Sequence, residues 1–160
     1  MGCTVEKGRS WPFFIFSLSI IIIDFISKRL VLQYLPSEGD QHALFSDFFG
    51  IAFSLSHTSN QGAAWGVFSS WPNLLVAVRI IFIALLVWLV IRKKFDRMRL
   101  AICGIIGGAT ANVIDFFLYG HVIDMFRFTF WGYEYPVFNV ADSSIFISTI
   151  AILLMLMKEK

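Results

Sequence analysis

Asp24, Lys28, Arg79, Asp115, Asp124 and Asp142 stand in or beside long apolar runs of this 160-residue chain, where charged side chains are out of place. Holding one such charge at the centre of a bilayer costs about 2.5 to 3.5 kcal/mol on insertion scales, and charges kept at that depth usually mark a pathway or a site. The acids fall toward one common end of their runs, which suggests one shared site. Two carboxylates held a few Å apart cannot both ionise easily, so they share a proton. One can then activate water while the other protonates a departing amine, which makes the pair an acid-base device for cleaving a peptide bond. Competing chemistries have less to stand on. His42, His57 and His121 are scattered, no HExxH pair is present, and no G-x-S-x-G elbow offers a nucleophile. The acids and histidines show no metal-ligand spacing, so neither a metal nor a cofactor is expected.

Each of these residues also has a local reading without catalysis. Asp24 and Lys28 are four apart on a helix, acid before base, and can neutralise each other on one face. Arg79 can snorkel or pair with an acid. In F-N-V-A-D-S-S-I, Asn139 can cap a helix and place Asp142 in its first turn, where a negative charge suits the helix dipole. Asp115 and Asp124 are harder to explain locally, because no basic residue follows them before Arg127. Gly120 breaks the helix between them and lets the chain turn back, bringing Asp124 toward Asp142.

Positioning these side chains falls to apolar segments at about 11–30, 71–91, 100–118 and 139–157. At 1.5 Å rise per residue each reaches on the order of 28 Å, the thickness of a hydrocarbon core. Backbone polar groups cannot face lipid unpaired, so each segment is expected to be a helix. With 58% hydrophobic and only 15% charged residues, and a mean hydropathy of +0.74, the chain is no ordinary soluble domain, which runs at about a quarter charged. The expected fold is therefore an all-α membrane domain spanning residues 1–160, with four transmembrane helices. Its net charge of +2 gives no reason to expect nucleic acid. Cys3 and Cys103 suggest neither a disulfide framework nor a zinc site. The first apolar run starts at Trp11 and lacks a small-residue cleavage site after it, so it reads as a retained span.

Lys and Arg concentrate between Arg92 and Arg99, whereas Val31 to Ser70 contains neither. The basic loop is expected on the cytoplasmic side, and Lys7, Arg9, Lys158 and Lys160 put both termini there too. Loops 31–70 and 119–138 then lie outside. Both are aromatic and β-prone, as in F-F-G-I-A-F-S-L-S and F-R-F-T-F-W-G-Y-E-Y-P-V-F, and should form a small strand-containing platform on the membrane. Simple aromatic belts without ordered strands are the alternative.

Five motifs in order, D-F-I-S-K from Asp24, N-Q-G-A-A-W-G from Asn60, G-G-A-T-A-N-V-I-D from Gly107, G-H-V-I-D-M-F from Gly120 and F-N-V-A-D-S from Phe138, extend over nearly the whole chain. In them the sequence closely resembles the bacterial lipoprotein signal peptidases, or type II signal peptidases. The resemblance implies an intramembrane aspartic endopeptidase of the inner membrane, its dyad formed by Asp124 and Asp142 near the extracytoplasmic face. It would cut a prolipoprotein before a diacylglyceryl-modified cysteine, without a cofactor, as a monomer among membrane lipids. Asn60, Gly62, Asn112 and Asn139 match positions that line the substrate cleft, and Asp24, Lys28 and Asp115 match positions that support its framework. Amide side chains suit that task, since they can hold an extended peptide without adding charge in lipid. Asn112 and Asn139 can equally serve as helix caps or interhelical bonds.

The chain departs from the family pattern at Ala111, usually Gly, at Phe116, usually Arg, and at Trp65, more often Phe. The missing arginine removes a cation beside the cleft. Two other functions remain open on the residues alone: an ion-coupled transporter, whose acids should be spread across the bilayer, and an assembly subunit whose acids merely pair with Lys28, Arg79 and partner helices.

Overall fold

A computed structural model describes residues 10–60, 72–93 and 95–158. Among them are four α-helices: α1 (Trp11–Tyr34), α2 (Pro72–Ile91), α3 (Arg99–Tyr119) and α4 (Val140–Met157). The expected apolar segments match these within a few residues, except that α1 runs on to Tyr34. Three helical stretches are long and apolar enough to cross a membrane: Asn73–Ile91, Asp96–Tyr119 and Val140–Lys158. The apolar run of α1 is interrupted by Asp24 and Lys28.

Helix α3 is the centre of the bundle. It is buried along most of its length and packs against α1, α2 and α4. Small residues permit this closeness, as is usual where no hydrophobic driving force draws helices together in lipid. A Cβ on Gly107 would stand 2.8 Å from the Ser17 carbonyl oxygen of α1, and one on Gly108 would collide with the Ala141 carbonyl oxygen of α4. These two glycines therefore seat α1 and the first turn of α4 against α3. On α1 the buried residues are Ser17, Ile20, Asp24, Lys28 and Val31, a stripe at helical spacing that puts both charged residues on the inward face. The opposite face exposes Ile15, Leu18, Ile22, Phe25 and Ile26.

Among the described residues both loop segments contain ordered strands, as expected, and not bare aromatic belts. β1 (Gln41–Phe48), β2 (Ile51–Asn60), β3 (Val122–Phe130) and β4 (Tyr133–Glu134) form one antiparallel sheet in chain order. Gly120, at φ 78°, ends α3 in the left-handed region and reverses the chain into β3. Rings on one face of the sheet stack: Phe53 on Phe128 with centroids 4.4 Å apart, and Phe128 on Phe138 at 5.9 Å. The Phe138 carbonyl also accepts from the backbone N–H groups of Met125 and Phe126. The sheet thus fixes the residue that precedes the start of α4.

Candidate active site

Asp124 is the third residue of β3 and Asp142 lies in the first turn of α4, 18 positions further along the chain. Asn139 joins them. It caps α4, its Oδ1 accepting the backbone N–H of Asp142 at 2.8 Å, while its Nδ2 donates to Asp124 Oδ1 at 2.7 Å. The amide of Asn60, at the end of β2, donates to the other oxygen of Asp124 at 3.0 Å. Its reach is that of a diagonal cross-strand neighbour, because Thr58 is the residue paired with Asp124. The amide of Asn112 on α3 donates to Asp142 Oδ1 at 2.8 Å. Both carboxylates are thus held by neutral donors.

Behind them sits a second cluster. Lys28 Nζ lies 2.6 Å from Asp24 and 2.6 Å from Asp115, with Lys28, Asp24 and Asp115 all almost fully buried. Asp24 Oδ1 accepts the backbone N–H of Ala141 at 2.8 Å, and Asp115 Oδ2 accepts that of Ile123 at 3.2 Å. Asp24 and Asp115 therefore each bond the residue immediately before one of the two other aspartates. The expected Asp24–Lys28 pair exists, but it is half of a triad. Asp115 finds its cation on α1, far away in sequence. Arg127, the nearest basic residue along the chain, pairs instead with Glu134 across the sheet at 3.5 Å.

Asp124 is buried and Asp142 half-buried. Burial, and then the negative charge of Asp142, push the Asp124 carboxyl from its usual 3.8 up to about 7. A carboxyl that titrates near neutral pH can hold or release a proton there. Phe116, where the resemblance leads one to expect arginine, is half-buried with its ring against Phe117. Arg79 is half-buried on α2. Among the described residues no three His, Cys, Asp or Glu side chains are grouped to hold a metal ion. Gly62, Trp65, Cys3, Lys7, Arg9 and Lys160 lie outside the described residues. The other expected site residues, Asp24, Lys28, Asn60, Asn112, Asp115, Asp124, Asn139 and Asp142, come together in one hydrogen-bonded cluster.

Residues 16–158 match the profile of the family described as Signal peptidase (SPase) II. The chain belongs to that family. It is 34% identical over 147 residues to the lipoprotein signal peptidase of Staphylococcus haemolyticus, covering 91% of this chain and 90% of the relative. To that of Staphylococcus aureus strain JH9 it is 33% identical over 142 residues, covering 88% and 84%. Two solved structures, each described as a bacterial membrane enzyme structure by the in meso method, superpose with TM-scores of 0.80 and 0.78 at 29% identity. They cover 92% and 93% of this chain, and 88% and 94% of the solved chains. A signal peptidase II is a protease, and with three helices apolar enough to span a bilayer this one is an integral membrane protein. Membership in the family decides for an enzyme over the transporter and the assembly subunit.

Proposed function

We propose that this signal peptidase II removes the signal peptide of a prolipoprotein by an aspartic mechanism, cutting before a diacylglyceryl-modified cysteine. The observation that carries the reading is the Asn139 side chain, which binds Asp124 and the backbone of Asp142 at once and so holds two carboxylates over one site. Asp142, in the first turn of α4 with the Asn112 amide donating to its carboxylate, is the base. Asp124, buried and holding a proton up to about pH 7, is the acid.

Asp142 takes a proton from water as the water oxygen attacks the scissile carbonyl carbon, while the Asp124 hydroxyl donates to the carbonyl oxygen. The tetrahedral gem-diol then collapses. The carbon–nitrogen bond breaks, the proton on Asp142 passes to the departing cysteine nitrogen, and Asp124 regains its own. The products are a signal peptide with a new carboxyl end and a lipid-modified cysteine with a free amine. No covalent enzyme intermediate is needed. Asn60, Asn112 and Asn139 line the cleft for the extended peptide, and Asp24, Lys28 and Asp115 brace the two strands of chain that carry the dyad.

In this reading α1 is a fourth span, supported by its exposed apolar face and inward-facing charges. Both termini are cytoplasmic and the sheet lies outside the bacterial inner membrane, with its aromatic side chains at headgroup depth. The protein acts as a monomer, taking its lipid-anchored substrate sideways from the bilayer. The test is to incubate purified protein with a synthetic peptide carrying diacylglyceryl-cysteine. A single cut before that cysteine, much faster than in the unlipidated peptide, is expected; cleavage elsewhere, or equal rates on both peptides, would overturn the assignment.

A further inference from the structure

The Asn112 amide can sit in two orientations related by a flip, and only one offers a donor to Asp142. Its Oδ1 lies 3.2 Å from Lys28 Nζ and 3.3 Å from Asn139 Nδ2, both of which can only donate. Asn139 is itself locked, since its Oδ1 faces the backbone N–H of Asp142. Its two amide hydrogens have closer acceptors in Asp124 Oδ1 at 2.7 Å and the Ile123 carbonyl at 3.2 Å. The weight of orienting Asn112 thus falls on Lys28. Lys28 is ion-paired with Asp24 and Asp115, although Asp24 Oδ2 lies outside hydrogen-bond geometry, and it directs one of its three ammonium N–H groups to Asn112 Oδ1. Ion pairing with the two acids would not require the bond to Asn112.

We infer that Lys28 is a positioning residue: it fixes the flip of the Asn112 amide and so keeps a hydrogen-bond donor on Asp142, which assigns the base role to that carboxylate. The inference rests on the dyad reading above. A flipped Asn112 would turn its oxygen to the Asp142 carboxylate and its N–H groups to an ammonium, opposing like partners at each contact. The charged groups around the dyad are Asp24 and Lys28 from α1 and Asp115 from α3, beside Asp124 on β3 and Asp142 on α4. The nearest β2 residues, Thr58 and Asn60, are neutral.

Charge and orientation can be separated by double substitution. Lys28→Met with Asp115→Asn, or Lys28→Met with Asp24→Asn, each removes one positive and one negative charge. The formal charge of the cluster is kept, and an acceptor oxygen remains for the Ile123 or Ala141 N–H. The measurement is kcat/KM against pH on the diacylglyceryl-cysteine peptide, with thermal unfolding as the check on folding. In both double variants the acid limb should move up by about one pH unit or more, lowering turnover at the acid end about tenfold, because a hydrogen bond favouring the charged base is lost. Asp115→Asn alone should move the limb the other way, since it deletes only a negative charge.

A folded double variant with its acid limb unmoved overturns the positioning role while leaving the peptidase reading intact. Failure of both double variants to fold would also overturn it, by showing that Lys28 serves the fold itself. Absence of cleavage by the unsubstituted protein would instead sink the dyad reading.

Discussion

Asn139 Nδ2 lies 2.7 Å from Asp124 Oδ1, and the same residue caps the helix that begins with Val140 and carries Asp142. One side chain thereby makes both the helix cap and the contact with Asp124. Replacing Asn139 with Ala should cost about 1 to 2 kcal/mol of stability through the lost cap. It should also lower turnover by about 100-fold or more, because Asp124 loses a donor and the two carboxylates lose their common reference. Asn139→Ser, which can still cap, should recover stability without recovering rate. Unfolding curves and kcat for the two variants make the comparison; recovery of both together would mean that Asn139 acts only as a cap.

The pH dependence has a definite sign. Asp124 is held protonated up to about 7 in the fold against 3.8 ordinarily. If it is the acid, kcat/KM should decline as pH rises through about 7, in a limb that belongs to the coupled pair. Stability should respond as well. Between about pH 4 and 7 the folded protein holds a proton that the unfolded chain has released, so stability decreases as pH rises across that window. Asp124→Asn should flatten that part of the curve. An unchanged slope in the variant would remove the burial argument.

Much of this was legible in the sequence, for a physical reason. Apolar runs of spanning length leave helix as the solution for backbone in lipid, and misplaced acids stand out against them. The Asn139 cap, the break at Gly120 and the strands in the aromatic loops follow from local chemistry. What could not be read is long-range pairing. Asp115 is neutralised by Lys28 on another helix and Arg127 goes to Glu134, because tertiary packing, not proximity along the chain, sets those distances. The backbone grips of Asp24 on Ala141 and of Asp115 on Ile123 have no sequence signature either, since any residue supplies an N–H.

Helix contacts that place the site should be intolerant of bulk. Gly107 meets the backbone of Ser17, and Gly108 that of Ala141, one residue before Asp142. Gly108→Leu should force the first turn of α4 away from Asn112 and reduce turnover by at least about 100-fold, with a lower unfolding temperature. Ala in the same place should act in the same direction, more mildly. Assay of the two variants in the same detergent or lipid tests the ordering.

The two hairpin tips meet at one end of the sheet, where the Trp131 N–H bonds the Gly50 carbonyl at 2.7 Å. Phe49 and Trp131 there are 83% and 76% exposed, which suits headgroup depth far better than water. In vesicles, brominated lipids should quench part of the tryptophan emission, and Trp131→Phe should remove that part. Undiminished quenching in the variant would lift this end of the sheet off the membrane.

The central claim is that Asp124 and Asp142 together cleave the substrate. Mass spectrometry of a diacylglyceryl-cysteine peptide after incubation with folded Asp124→Asn and Asp142→Asn proteins addresses it most directly. The expected result is loss of the product ending before the cysteine by about 1,000-fold or more in each variant, with unfolding temperatures showing both to be folded. Cleavage at the unsubstituted rate by either one would contradict it.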